Sequence, residues 1–255
     1  MSRRFVILCH PRTGSYLLTD ILNRQDGVIC HEEIFKRNRV ELEEQYLEKL
    51  GLARNDMEKR DADPLTYLES VYSISPDQVT GFKIFPFENE QILPRLIHDK
   101  NTRKVILVRN PVQSHISALV ARESGAWTKT HHSKPEKDVR VKFLRGDFFK
   151  RLNQKRRFFE RIMLVSKLEP GNPYHIIDYS ELKDPTHMQR LADYLEIQSW
   201  NGDVIPKYNK QITKPYADVV ENWEEALNMF ALLGVNENSS FLDFMRNYNR
   251  VIYPD

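Results

Sequence analysis

The sequence predicts an α/β fold, a single domain with a central parallel sheet flanked by helices. Three observations predict it. Short Val- and Ile-rich runs recur along the chain, segments with helical spacing lie between them, and neither internal repeats nor low-complexity stretches interrupt the alternation. With 255 residues, 40% of them apolar and 29% charged, the chain can bury a substantial core as one domain, 1–255.

The run Phe5 to Cys9 reads as a buried first strand, and Leu17, Leu18, Ile21 and Leu22 follow with the spacing of a helix packed on a sheet. "GVICHEE" (27–33) suggests a second short strand. A charged, mostly helical insert occupies about 36–77, with Leu42, Tyr46, Leu47 and Leu50 on one stripe. "VTGFKIF" (79–85) alternates like a strand, and "KVILVRNP" (104–111) is a buried strand with a sharp stop. Asn110 suits the N-cap and Pro111 the first helical position, so a helix runs through "VQSHISALVARES". Residues of about 125–145 carry Gly, Pro, paired histidines and many lysines without periodicity, and read as a mobile basic loop. An amphipathic helix spans roughly Asp147 to Leu168. "YHIIDY" (174–179) is another strand and "THMQRLADYL" another helix. The tail after Pro206 mixes loop with a helix around "VENWEEALNMFALL".

The charge balance, 38 Lys+Arg against 36 Asp+Glu, leaves a net +2. That is too small for nucleic acid to be the main partner, so any basic site is local. Cys9 and Cys30 sit in apolar runs and read as buried thiols, too few for a disulfide framework. No apolar stretch approaches the length of a transmembrane segment, and Met-Ser-Arg-Arg leads into a strand without a signal-type region. A cytoplasmic location is the expectation.

Two stretches carry chemistry. In "VILCHPRTGSYLLTDIL" (6–22) an apolar run ends in Pro11-Arg12-Thr13-Gly14-Ser15 and resumes with helical spacing. The unpaired backbone N–H groups and positive dipole of that helix start form an anion cradle. Gly14 allows close approach, Ser15 is a cap and hydroxyl donor, and Arg12 supplies a bidentate charge. The Gly-Lys-Ser/Thr that holds a nucleoside triphosphate with magnesium is missing. A tight turn with a surface arginine is the other reading. At the end of the "VILV" strand stand Arg109, then Ser114 and Ser117 on one helical face. Arg109 sits where parallel sheets bind ligands and, with a serine, would clamp a second phosphate apart from the first. A structural ion pair is the alternative.

Taken together these stretches resemble the sulfotransferase superfamily, which uses 3′-phosphoadenosine 5′-phosphosulfate (PAPS) and has a P-loop-like α/β fold. "PRTGSYLL", with Arg12, Thr13, Gly14, Ser15 and Tyr16, is similar to the family's 5′-phosphosulfate loop. "VRNPVQSHISAL" is similar to its 3′-phosphate motif, an Arg followed eight residues later by a Ser, here Arg109 and Ser117. The resemblance explains the second clamp and the missing magnesium motif, because a sulfuryl group is transferred without magnesium. "IIDYSELKDP" places Tyr179 near the adenine. "NKQITKP…VENWEE" resembles the bacterial branch that includes the nodulation and trehalose sulfotransferases, and implies nucleotide contacts from Lys210 and Gln211, while Asn222-Trp223 would start and pack a helix. "HEEIF" resembles a stretch of the same branch.

The animal enzymes carry a catalytic histidine in Lys-Thr-His-Leu-Pro; the matching "GFKIFPF" keeps Lys83 and has no histidine. Alignment with the bacterial branch implies Glu33 as the base, with Glu32 as understudy beside the acceptor. Both are otherwise solvated acids beside a strand end. Lys83 would add charge near the bridging oxygen, or be a solvated edge lysine. Trp127 implies an acceptor-pocket wall, or is an exposed aromatic in a basic loop. His10 would donate to the sulfuryl group, or be structural. Arg12 would hold the leaving phosphate and sulfuryl oxygens. His115, His131 and His132 lack Cys or carboxylate partners at ligand spacing, so no metal is expected. The expected function is sulfuryl transfer from PAPS, leaving 3′-phosphoadenosine 5′-phosphate (PAP), to a hydroxylated saccharide or small molecule. Rival readings are a small-molecule kinase with a degenerate loop and a non-catalytic nucleotide-binding module. The basic segment Lys129 to Arg145 suits a sugar, a lipid-linked saccharide or an acidic small molecule, and the helical insert offers a surface for a homodimer.

Overall fold

Arg3–Cys9 forms β1, whose run from Phe5 to Cys9 is completely buried. The other strands are β2 (Val28–His31), β3 (Val79–Ile84), β4 (Thr102–Val108) and β5 (Tyr174–Asp178). All pairings are parallel, in the order β2-β3-β1-β4-β5. This computed structural model describes residues 3–128, 139–202, 205–208 and 212–252.

Helix α1 (Ser15–Asn23) follows β1, and the insert between β2 and β3 contributes α2 (Glu44–Leu50), α3 (Met57–Ala62) and α4 (Pro64–Ser73). Next come α5 (Ile92–His98), α6 (Pro111–Ser124), α7 (Arg145–Leu168) and α8 (Pro185–Leu195). The chain ends with α9 (Tyr216–Val219), α10 (Trp223–Leu232) and α11 (Phe241–Ile252). The expected cap on α6 is present: Asn110 Oδ1 accepts from the N–H groups of Val112 and Gln113 at 2.9 and 3.1 Å. Ser15 does not cap α1. Gly14, in the left-handed region at φ 93°, occupies the N-cap position, and Ser15 is the first helical residue.

One apolar layer covers one sheet face with the insert, α5 and α7, and a second covers the other with α1 and α8. A third core joins α6, α7, α10 and α11. The segment leading into α7, expected to be part of a loop, is pinned by a bridge between Val141 and Val220 and by buried Phe143; residues 129–138, with His131 and His132, lie outside the described residues. Cys9 and Cys30 are buried free thiols, and burial pushes the Cys9 thiol up to about 12. Among the described residues no helix is long and apolar enough to cross a membrane.

The chain leaves the central strand toward β2 and β3 on one side and β4 and β5 on the other. The switch point therefore lies between β1 and β4, where Cys9 pairs with Leu107. That register sets the first loop beside Arg109.

Candidate anion-binding active site

The loop after β1 places two residues in the left-handed region, Arg12 at φ 70° and Gly14 at φ 93°. For a non-glycine residue such as Arg12 this conformation costs roughly 1–3 kcal/mol, and it persists where the surroundings hold it. Thr13 helps to do so: its buried side chain donates through Oγ1 to the His10 carbonyl at 2.8 Å. A Cβ at Gly14 would overlap the ring of Tyr179, so the loop and that ring are in direct contact.

Arg109, 7% exposed, stacks on Tyr179 at 4.1 Å from the ring centre and donates to the Arg12 carbonyl at 3.1 Å. Arg12 in turn reaches α6, where its Nε and Nη2 donate to Ser117 Oγ at 3.1 and 2.9 Å, and it also donates to the Trp127 carbonyl. The two clamps expected to be separate are thus joined through Arg12. Among the described residues no carboxylate forms an ion pair with Arg109. Burial, followed by the charge of Arg109, pulls the Arg12 guanidinium down to about 10, and burial lowers Arg109 as well. Two desolvated cations beside a helix start make a site that a bound anion stabilises.

A second cluster assembles where β2 and β3 end. His31 pairs with Phe82 across these strands, so Glu32 and Glu33 emerge beside Lys83. Lys83 is completely buried, which overturns the solvated-edge reading. Its Nζ forms an ion pair with Glu32, lies 3.2 Å from Glu33 Oε1, and sits 3.0 Å from the ring centre of Tyr16. Neither carboxylate contact is aligned as a hydrogen bond, so charge holds the lysine. Glu33 is itself only 6% exposed, with Lys36 Nζ at 3.9 Å. It is not a solvated acid. Burial raises the Tyr16 hydroxyl, reinforced by Glu33 and Glu32.

Arg12, Gly14, Ser15, Tyr16, Arg109, Ser117, Tyr179 and Trp127 all open onto one cleft of about 630 Å³, with Glu33 in its wall. Glu32 borders an adjoining cavity of about 500 Å³ instead, and burial raises its carboxyl above the usual range. Ser114, expected to share a face with Ser117, accepts from Lys155 of α7 and faces away from the cleft. His10 packs edge-on against Phe158 and Phe159 of α7; burial lowers it to about 3, so it is neutral near pH 7. Lys210 and Gln211 lie outside the described residues.

One group in the cleft was missed. Glu88, in the turn after β3, accepts from the Phe85 N–H at 2.9 Å, and burial pushes its carboxyl up to about 8. The signal was available: Glu88 follows the carboxyl end of a parallel strand, the same argument that singles out Arg109.

A parallel sheet of this order, with an arginine-bearing loop and a second arginine meeting at its switch point, defines a P-loop-like α/β domain with a candidate anion site. Residues 2–216 match the family model described as "Sulfotransferase domain", and the chain belongs to that family. A stretch of 130 residues is 28% identical to nodulation protein H of Rhizobium tropici, covering 49% of this chain and 49% of that protein, so the match spans about half the length of its curated relative. Among solved structures, the chain resembles the sulfotransferase domain from the curacin biosynthetic pathway, with 15% identity, a TM-score of 0.54 and 98% of each chain covered. It also resembles the sulfotransferase domain from the Synechococcus PCC 7002 olefin synthase, with 14% identity and a TM-score of 0.53 over 99% of this chain and 95% of that one. At these identities the structural likeness establishes the fold.

Proposed function

We propose that this domain transfers the sulfuryl group of PAPS to a hydroxyl acceptor. One observation carries the reading: buried Arg109 and half-buried Arg12, joined where Arg109 donates to the Arg12 carbonyl while Arg12 holds Ser117 and the Trp127 carbonyl, converge on one cleft at the switch point. The residues fit a nucleotide with phosphate at both ends. Arg12, Ser15 and the first amides of α1 suit the 5′ end, and Arg109 with Ser117 suits the 3′-phosphate. Gly14, closed over by Tyr179, leaves no room for a side chain where the loop meets the ligand. Lys210 and Gln211 would add contacts, as the family resemblance implies.

When bound, the nucleotide supplies an activated sulfuryl group and a phosphate leaving group. The chain supplies positioning and charge, which carry most of the barrier reduction in transfers of this kind. Arg12 sets its charge where negative charge develops. Glu33 accepts the proton of the acceptor hydroxyl. Lys83 adds positive charge beneath the cleft and, by pairing with both Glu32 and Glu33, fixes the base. Trp127 borders the acceptor, and Glu32, in the adjoining cavity, acts through its ion pair with Lys83.

Isothermal calorimetry with PAP in the absence of magnesium tests the reading. Micromolar or tighter binding is expected. A larger thermal stabilisation by ATP with magnesium than by PAP would overturn it.

A further inference from the structure

A second cavity, also of about 630 Å³, adjoins the cleft and shares Pro11, Arg12, Phe87 and Trp127 with it. Its sides are two facing helices. From α6 come Ser114, His115, Ala118 and Arg122; from α7 come Phe148, Arg151, Leu152 and Lys155, with Arg157 at the edge. Among the described residues Arg12, Arg122, Arg151, Lys155 and Arg157 make five cationic side chains in the lining, and no carboxylate lines it.

That imbalance is built into the fold. Arg151 and Lys155 stand one turn apart on α7, a spacing at which like charges destabilise a helix. Asp147, outside the lining, pairs with Arg151 at 3.1 Å. Lys155 has no such relief: it is 9% exposed, and among the described residues its ammonium finds the Ser114 hydroxyl and no carboxylate. Burial, then Arg109 and Arg151, pulls this lysine down to about 7. His115 is 2% exposed, and neither ring nitrogen has a hydrogen-bond partner among the described residues. Much of the remaining lining is apolar, including Pro86, Phe87, Ala118, Trp127, Phe148 and Leu152. A buried cation without a counter-charge is unfavourable unless an anion comes to it.

We propose that this cavity receives the acceptor, and that the acceptor is an anionic hydroxylated amphiphile. Its carboxylate or phosphate lies against Arg122, Arg151 and Lys155, its apolar body lies along Phe148, Leu152 and Phe87, and its hydroxyl is directed past Arg12 into the cleft. The inference rests on the sulfuryl-transfer reading above and narrows it. A neutral saccharide, which the sequence permits, would meet apolar walls and cations there, with few neutral groups to bond its hydroxyls.

Calorimetry with three matched probes tests this: an ω-hydroxy fatty acid, the phosphate monoester of the same chain length, and the corresponding diol, with PAP affinity measured on the same protein. One or both anionic probes are expected to bind roughly tenfold or more tightly than the diol, as one charge-assisted contact allows. Lys155→Met should abolish most of that preference and leave PAP affinity unchanged. Arg122→Gln, at an exposed position, gives a second reading if the buried substitution impairs folding. Equal affinities, or no binding by any probe, while PAP binds normally would overturn the acceptor assignment and leave the nucleotide reading intact. Anion preference with no PAP binding would overturn sulfuryl transfer and the acceptor role with it.

Discussion

Arg109 and Glu33 make separable demands on the cleft. Arg109→Ala removes a buried guanidinium stacked on Tyr179, and with it charge-assisted contacts worth about 1.5–3 kcal/mol each. PAP affinity should fall at least about tenfold by calorimetry; unchanged affinity would show the 3′-phosphate assignment to be wrong. Glu33→Gln should retain PAP binding and lose turnover, and wild-type rates would remove Glu33 as the base. Gly14→Ala meets both a positive φ and the Tyr179 ring, so loss of PAP binding with a lowered melting temperature is expected. The residue types at these positions were legible because loop, strand end and helix spacing are local properties of the chain. What side chains do across the fold was not. The contact of Arg12 with Ser117, the parting of Glu32 from Glu33 into different cavities, and the burial of Lys83 all depend on segments far apart in sequence.

At the level of elements, the strands and the capped start of α6 follow from local signals, and the structure reproduces them within a few residues. Helix α5 went unread although Ile92, Leu93, Leu96 and Ile97 have helical spacing and are buried, because Pro94 interrupts so short a pattern. Helix α11 went unread although Phe241, Phe244 and Met245 have helical spacing and pack into the core. The pairing of β1 with β3 carries a sharper consequence. Gly81 lies opposite Phe5, and a Cβ there would stand 2.5 Å from the Phe5 ring. Gly81→Ala should destabilise the fold by about 1–3 kcal/mol, the usual effect of overpacking a core, measured as a lower denaturant midpoint at unchanged slope. An unchanged midpoint would mean that the sheet yields at this pair.

For the molecule as a whole, three buried histidines set the acid limit of stability. Burial lowers His10 to about 3 and His31 and His115 to about 4, against an ordinary 6.5. Between those values the unfolded chain binds protons that the folded chain refuses, so their contribution is present above about 6.5 and is lost as pH falls toward 4. Denaturation midpoints recorded through this window should decline steeply, and His115→Phe should flatten the decline; a profile flat to pH 4.5 would contradict these environments. The parallel α/β class was legible from alternating patterns, but the strand order was not, since pairing between distant segments leaves no local trace. That order governs synthesis too. Of the five strands described, the one made first is the central one, yet Arg3 waits for Val79 and Arg4 for Thr102 before either edge is satisfied. An emerging chain therefore carries an apolar ribbon with two open edges until β4 has left the ribosome, at some 5–20 residues per second. Nascent chains halted before β4 should be protease-sensitive and chaperone-bound, and refolding in vitro should be slow for a domain of this size.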